Sequence, residues 1–198
     1  MDPHPVTAAE VAAATDTIAQ AFRGDPVWSV ALGVAETPEV DTRPFWRIYV
    51  EGALRFDTVY AGEGAGTVSV WIPPGESELS EEQEAEAGHL VEQLLPPDKA
   101  GAMLELWERF GRARPVDRPH AYLSLLATRP DRAGHGYGMA HLAADLTRWD
   151  DAGVPTYLES TNPRNDARYA RHGYAAIGRF EAVLDQSVVT LMWRPVGG

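Results

Sequence analysis

Between positions 129 and 146 the chain reads RPDRAGHGYGMAHLAADL. Gly134, Gly136 and Gly138 stand at every second position, and Met139, Leu142, Ala143 and Leu146 follow at helical spacing. A helix N-terminus presents unpaired N–H groups and the positive end of the helix dipole. Glycines ahead of it let the backbone approach a ligand and take dihedrals that other residues resist. A strand, a glycine turn and a helix in that order make a cradle for a phosphate or pyrophosphate, held by main-chain amides. Two familiar phosphate motifs do not fit. A P-loop needs a lysine directly after its last glycine, and the only lysine here is Lys99. A dinucleotide fingerprint would place its third glycine at Met139. A helix that merely starts with glycines fits the same letters, so the elements around the turn must decide.

Those elements read as alternating helices and strands. Thr7 and Glu10 have capping-box spacing, and Val11, Ala14, Ile18 and Phe22 continue as a helix ended by Gly24 and Pro26. A second helix opens near Pro44 and carries Phe45, Trp46, Tyr49, Ala53 and Phe56. Thr58 to Ala61 and Thr67 to Ile72 read as a hairpin around GEGAG. The texture changes over about 73–119, which reads as a helical insertion: Ser80 and Gln83 form a second capping box, Pro96-Pro97-Asp98 restarts a helix, and seven glutamates between 76 and 92 imply a solvated face. His120 to Thr128 is a central strand, with Ala121, Leu123, Leu125 and Ala127 expected on one face and Tyr122, Ser124, Leu126 and Thr128 on the other. After the glycine turn and its helix, Gly153 marks a C-cap and Thr156 to Ser160 a short strand. Asn165 or Asp166 can cap a two-turn helix through His172, and strands near 174–182 and 188–194 complete the chain.

The 198 residues suit one domain with a sizeable core. No run of apolar residues is long enough for a membrane span, the first residues lack a signal-peptide pattern, and there is no cysteine, all of which points to a cytoplasmic setting. The formal charge of −12 argues against nucleic acid as a partner and would tolerate or steer a cationic substrate, although excess carboxylates also serve solubility alone. No His, Asp and Glu spacing points to a metal.

The stretch from Leu125 to Gly138, with the segment from Tyr157 to Tyr174 that ends in Tyr169-Ala-Arg-His-Gly-Tyr174, resembles the two cofactor motifs of the GNAT acetyltransferases, in the same order and spacing. In length, in the Trp71-Ile-Pro-Pro74 strand end and in the order of helices it most resembles the puromycin N-acetyltransferase branch. The resemblance implies an α/β fold: one domain over 1–198, a mixed and mostly antiparallel sheet, a splayed parallel strand pair, helices on both faces, and the insertion between the third and fourth strands. It implies acetyl-CoA as cosubstrate and no metal. Backbone of Leu126, Ala127 and Thr128 would pair with the pantetheine arm. Ala133, Gly134, His135, Gly136, Tyr137, Gly138 and Met139 would surround the pyrophosphate, and Asn165 would either touch the cofactor or cap its helix. The family usually has Gln or Arg where Ala133 stands, which removes a side-chain contact but leaves the main-chain cradle.

The resemblance further makes Tyr169 the general acid. A phenol of pKa ~10 keeps its proton at neutral pH and can give it to a thiolate, of pKa ~8.5, where the site excludes water. Glu159, at a central strand end, reads equally as the base that takes the amine proton, an anchor for a cationic substrate, or a structural carboxylate. His120 reads as a surface residue at a strand start. Asp25, Trp28, Trp46, Tyr49 and Trp71 are candidates for the acceptor pocket, with core packing the competing role of each tryptophan. The expected activity is acetyl transfer to the primary amine of a small antibiotic-like or metabolite molecule. Acetylation of a protein N-terminus or lysine, or acyl-CoA binding without turnover, are the alternatives. Dimers are common among similar enzymes, so a homodimer is an expected assembly.

Overall fold

The computed structural model of the chain describes residues 2–198. Its elements are β1 (His4–Pro5), α1 (Val11–Phe22), α2 (Pro26–Ala31), α3 (Arg43–Leu54), β2 (Val59–Ala61), β3 (Thr67–Ile72), α4 (Glu81–Leu94), α5 (Pro97–Ala113), β4 (Ala121–Thr128), α6 (Tyr137–Asp151), β5 (Thr156–Ser160), α7 (Asp166–Ala170), β6 (Ala175–Glu181) and β7 (Val188–Arg194). The seven strands form one sheet in the order β1-β2-β3-β4-β5-β7-β6, antiparallel throughout except for β4 and β5.

Two apolar layers sandwich the sheet. The larger holds α1 to α5 against Val68, Val70, Tyr122, Leu125, Ala127 and Tyr157. The smaller packs α6 and Tyr169 of α7 against Trp71, Ala121, Leu123, Leu158 and Met192. Strands covered on both faces are buried at successive positions, as all six residues of β3 are, from Val70 to Ile72 with apolar side chains alone.

The alternation along β4 breaks. Leu125 and Ala127 face the α1–α5 layer, whereas Ala121 and Leu123 face the α6 layer. The cause is a bulge: Val70 pairs with Leu125 and Trp71 with Leu123, so Ser124 is an extra residue in the ladder. One inserted residue reverses the phase of everything after it. The backbone reverses too. The Ala121 N–H points toward β5 and donates to the Pro155 carbonyl at 2.9 Å, but that of Arg129 points the other way, to Gly66 of the β3 side, at 2.9 Å.

The insertion forms as its caps dictate. Ser80 and Gln83 complete the reciprocal capping box of α4, Pro97 starts α5, and six of the seven glutamates are exposed. Glu78 is the exception and turns inward. The box at Thr7 forms only in its return half, with the Thr7 N–H and hydroxyl both donating to Glu10 Oε2 at 3.0 and 2.8 Å. Two elements lie outside the sequence expectation. The short β1 pairs with β2. Helix α2 has Asp25 as its N-cap and Pro26 in its first turn, a pattern the sequence does display. Helix α7 is shorter than expected, because Pro163–Asn165 forms a separate 3₁₀ turn. No helix among the described residues is long and apolar enough to cross a membrane.

Candidate active site

The parallel pairing of β4 and β5 covers only Ala121–Thr156, Tyr122–Tyr157 and Leu123–Leu158. Beyond Leu123 the two strands part, and the fork opens at the bulge. With the phase reversed, Leu126 and Thr128 occupy positions whose peptide groups bond neither β3 nor β5 and open into the gap, while the peptide of Ala127 turns back to β3. The side chain of Ala127 is buried in the α1–α5 layer.

The glycine turn stands beside this gap. Gly134 and Gly136 have φ of 82° and 83°, the left-handed region that glycine takes without strain, and a side chain at either would meet nothing within 4 Å. They shape the turn and leave open space before the start of α6. Gly138 serves differently: a Cβ there would lie 2.5 Å from the Thr128 hydroxyl, so its absence lets α6 seat on β4. Gly136 caps α6 with no side-chain bond, and the first bond back to it comes from Ala140, at 3.0 Å. The amides of Tyr137, Gly138 and Met139 therefore lack helical partners.

A cleft of about 530 Å³ runs from the fork over this turn, lined by Leu126, Thr128, Ala133, Gly134, Gly136, Tyr137, Gly138, Met139 and Asn165 of the expected residues. His135 is not among its walls: it is exposed, with its ring nitrogen 3.0 Å from the Ala133 carbonyl. Asn165 takes the N-cap position of α7 without a side-chain capping bond. Its side-chain oxygen accepts from Arg168 Nη1 at 2.9 Å, and the side-chain cap is made by Asn162 on the 3₁₀ turn before it. Arg132, Arg168 and Arg171 also line the cleft and give it positive charge in an acidic protein. The last two were unremarked in the sequence, although their spacing of three places both on one helix side. Arg132 fits because Gly66 has no side chain; a Cβ there would come within 2.7 Å of it.

Tyr169 and Glu159 meet at the fork from opposite sides. Tyr169 belongs to the α6-side layer and lines both the cleft and a narrower pocket continuous with it. Asp166 holds α7 in place by accepting from Ser160 at 2.6 Å and Thr190 at 2.9 Å, which ties the helix to β5 and β7. Burial, reinforced by Asp25 and Asp166, raises the Tyr169 phenol well above its ordinary value, so it stays protonated.

Glu159 follows Tyr157 by two residues on β5 and shares its face, toward α1–α5. Its Oε1 is enclosed and without a hydrogen-bond partner. Burial pushes its carboxyl up to about 7; the Arg114 guanidinium and the hydroxyls of Tyr122 and Tyr157 oppose that rise, and Glu78 adds to it.

The narrower pocket, of about 70 Å³, has Glu159 and Tyr169 in its walls along with Asp25, Trp28, Phe110 and Ser124. Trp28 stacks on Phe110 with ring centroids 5.7 Å apart. The carboxylate of Asp25 is occupied structurally: it accepts from the Val27 and Trp28 amides at 3.0 Å each and from the Thr161 hydroxyl at 2.7 Å. The other three acceptor candidates lie elsewhere. Trp46 is core. Tyr49 is buried beside Glu78, behind the pocket. Trp71 is buried on the α6 side, its indole N–H donating to Asp145 at 2.9 Å. His120 is buried between Tyr157 and Trp193 and not at the surface, and burial lowers its pKa. No cluster of three metal-binding side chains occurs among the described residues.

This sheet order, with its single forked parallel pair, is the GNAT fold. Solved structures across the whole chain share it. Histone acetyltransferase HPA2 and related acetyltransferase from Corynebacterium glutamicum is 22% identical over 99% of this chain and 97% of that one, with a TM-score of 0.63. The polyamine N-acetyltransferase of Drosophila melanogaster, an enzyme that forms N-acetylagmatine, is 17% identical over 98% of each chain at 0.64. Arylalkylamine N-acetyltransferase 2 of Aedes aegypti is 9% identical over 98% of each at 0.70. No family model matches the chain, and these likenesses do not single out the puromycin branch.

Proposed function

We propose that the protein is an N-acetyltransferase that moves the acetyl group of acetyl-CoA to the primary amine of a small molecule. The observation that carries this reading is the fork itself, where Glu159 and Tyr169 reach one pocket from opposite faces of the sheet. The cleft fits the cosubstrate. Free peptide groups at Leu126 and Thr128 match the amides of a pantetheine arm, the open turn at Gly134 to Met139 matches a pyrophosphate, and Arg132, Arg168 and Arg171 supply counter-charge. When bound, acetyl-CoA supplies an activated acetyl thioester.

The chain's own groups would handle the protons. Ionised Glu159 accepts a proton from the ammonium of the substrate, leaving the amine nitrogen a free electron pair. That pair would form the N–C bond as the C–S bond breaks; the phenol of Tyr169 would give its proton to the departing sulfur, and the phenolate so formed would take the surplus proton of the new amide nitrogen. Burial keeps the phenol protonated until the sulfur departs. Because each group comes from its own face, neither competes for the other's proton.

The pocket also bears on the substrate. A cavity that takes up benzene is about 150 Å³, twice the roughly 70 Å³ beside Glu159. A slender aliphatic amine is therefore the acceptor that this pocket takes most readily. Trp28 and Phe110 border the pocket and favour the cation of such an amine. Thiol release from acetyl-CoA over a panel of alkylamines, arylalkylamines and aminonucleosides tests the reading: turnover with slender primary amines supports it, and no release with any amine rejects it.

A further inference from the structure

Both ends of the helical insertion return to the fork. Glu78 precedes α4 and Arg114 follows α5, and they pair at 3.4 Å, Arg114 Nη2 to Glu78 Oε2. Neither is among the residues that line the pocket, yet both act on Glu159. The remaining oxygen of Glu78 accepts the hydroxyl hydrogen of Ser124, the extra residue of the β4 bulge. A classic bulge turns two successive side chains to one side, which is how Ser124 comes to face the insertion together with Leu125. The guanidinium carbon of Arg114 sits over the Tyr122 ring, 3.8 Å from its centroid. Tyr122 in turn faces Glu159 from β4, as Tyr157 does from β5. The neighbour of Glu159 on β7 is Leu191, which cannot titrate. Four groups thus act on the carboxyl from the insertion and the strands, one cation, one anion and two phenols, and Asp25 of the α2 cap and Tyr169 of α7 face it across the pocket.

We propose that Glu78 and Arg114 are positioning residues through which the insertion reaches Glu159: Glu78 anchors on Ser124 and Arg114 covers Tyr122, and both of those residues share the pocket wall with Glu159. This rests on the reading of Glu159 as the base. Arg114 favours the ionised form, and Glu78 both repels it and partly neutralises Arg114. The two therefore work against each other. Removing the cation leaves Glu159 protonated to higher pH, and removing the anion ionises it at lower pH. A purely structural pair would not produce opposite signs. The bulge matters here twice: it opens the gap on one side of β4 and offers Glu78 its anchor on the other.

The test is a carbon-detected NMR titration of the full chain with labelled glutamate carboxyls, the Glu159 signal being assigned by its loss in Glu159→Gln. Arg114→Met should raise the Glu159 midpoint by roughly one pH unit, Glu78→Gln should lower it, and Arg114→Lys should keep it near the wild-type position. Midpoints that stay put in both variants, or move the same way, overturn the proposal; if the methionine variant folds poorly, an unmoved or raised midpoint in Glu78→Gln alone overturns it. The titration needs no substrate. Opposed shifts without acetyl transfer to any amine would reject the catalytic reading and leave the charge control standing, whereas transfer without opposed shifts would do the reverse.

Discussion

Glu159 and Tyr169 lie on opposite faces of the sheet and line one pocket, at the point where β4 and β5 separate. The separation makes this possible, since a continuous pair of strands would put a wall of backbone between them. If each handles its own proton, each can be removed singly. Tyr169→Phe should lower kcat by about 10²- to 10⁴-fold, with coenzyme A affinity unchanged by calorimetry. Loss of affinity in step with kcat would mean that the phenol only holds the cleft together.

The acidity of Glu159 sets a pH dependence. With its carboxyl near 7, only about half is ionised at neutral pH. The kcat/KM of acetyl transfer should rise with pH through a midpoint near 7 and flatten above it. In Glu159→Gln the rate should fall by a factor of about 10² or more and that rising limb should vanish. A variant that keeps both rate and profile would mark Glu159 as structural.

The same burial costs stability, and a second buried group opposes it. Glu159 has a folded pKa above its unfolded one, so its contribution is complete below about 4.5 and is lost as pH rises toward 7. His141, enclosed with Thr67 and Ser69 at 2.7 and 3.0 Å, is held down to about 4, so its contribution is complete above about 6.5 and is lost as pH falls. Each amounts to about 3 kcal/mol at most, and over about pH 4.5 to 6.5 they offset. Glu159→Gln should therefore unmask a steeper gain of Tm with pH in this window. Parallel Tm profiles for the variant and wild type would contradict it.

Gly138 and Thr128 offer a packing test. Gly138→Ala places a methyl carbon against the Thr128 hydroxyl and should displace the start of α6, lowering stability by about 1–3 kcal/mol. Thr128→Ala should restore most of that loss in the double variant, read as a coupling energy from denaturant melts. Additive losses would show that Gly138 is not held by this contact.

Much of this was legible in the letters because it rests on local chemistry. The alternation of Val68, Val70 and Ile72, the box at Ser80 and Gly153 just beyond α6 each fix an element end within a few residues. The turn at Gly134 to Gly138 signalled its cradle through residue type alone. What stayed hidden depends on long-range fit. Ser124 looks like any strand residue, and nothing nearby marks it as an insertion into the ladder, so plain alternation predicts the opposite phase for β4 beyond it. Glu78 is one of seven similar glutamates, and only the path of α4 and α5 separates it from the other six. Trp71 and Trp46 have the composition of a binding site and the position of a core. Helix α2 was a missed signal, since Asp25-Pro26 carries both a cap and a first-turn proline.

The account stands on coenzyme binding along the fork, and amide hydrogen exchange tests that most directly. Saturating coenzyme A should slow exchange at Leu126, Thr128, Tyr137, Gly138 and Met139, the amides left without partners by the bulge and by the start of α6. Ala127, whose N–H already serves β3, should change little. Exchange at all five unaltered by the coenzyme would contradict the account.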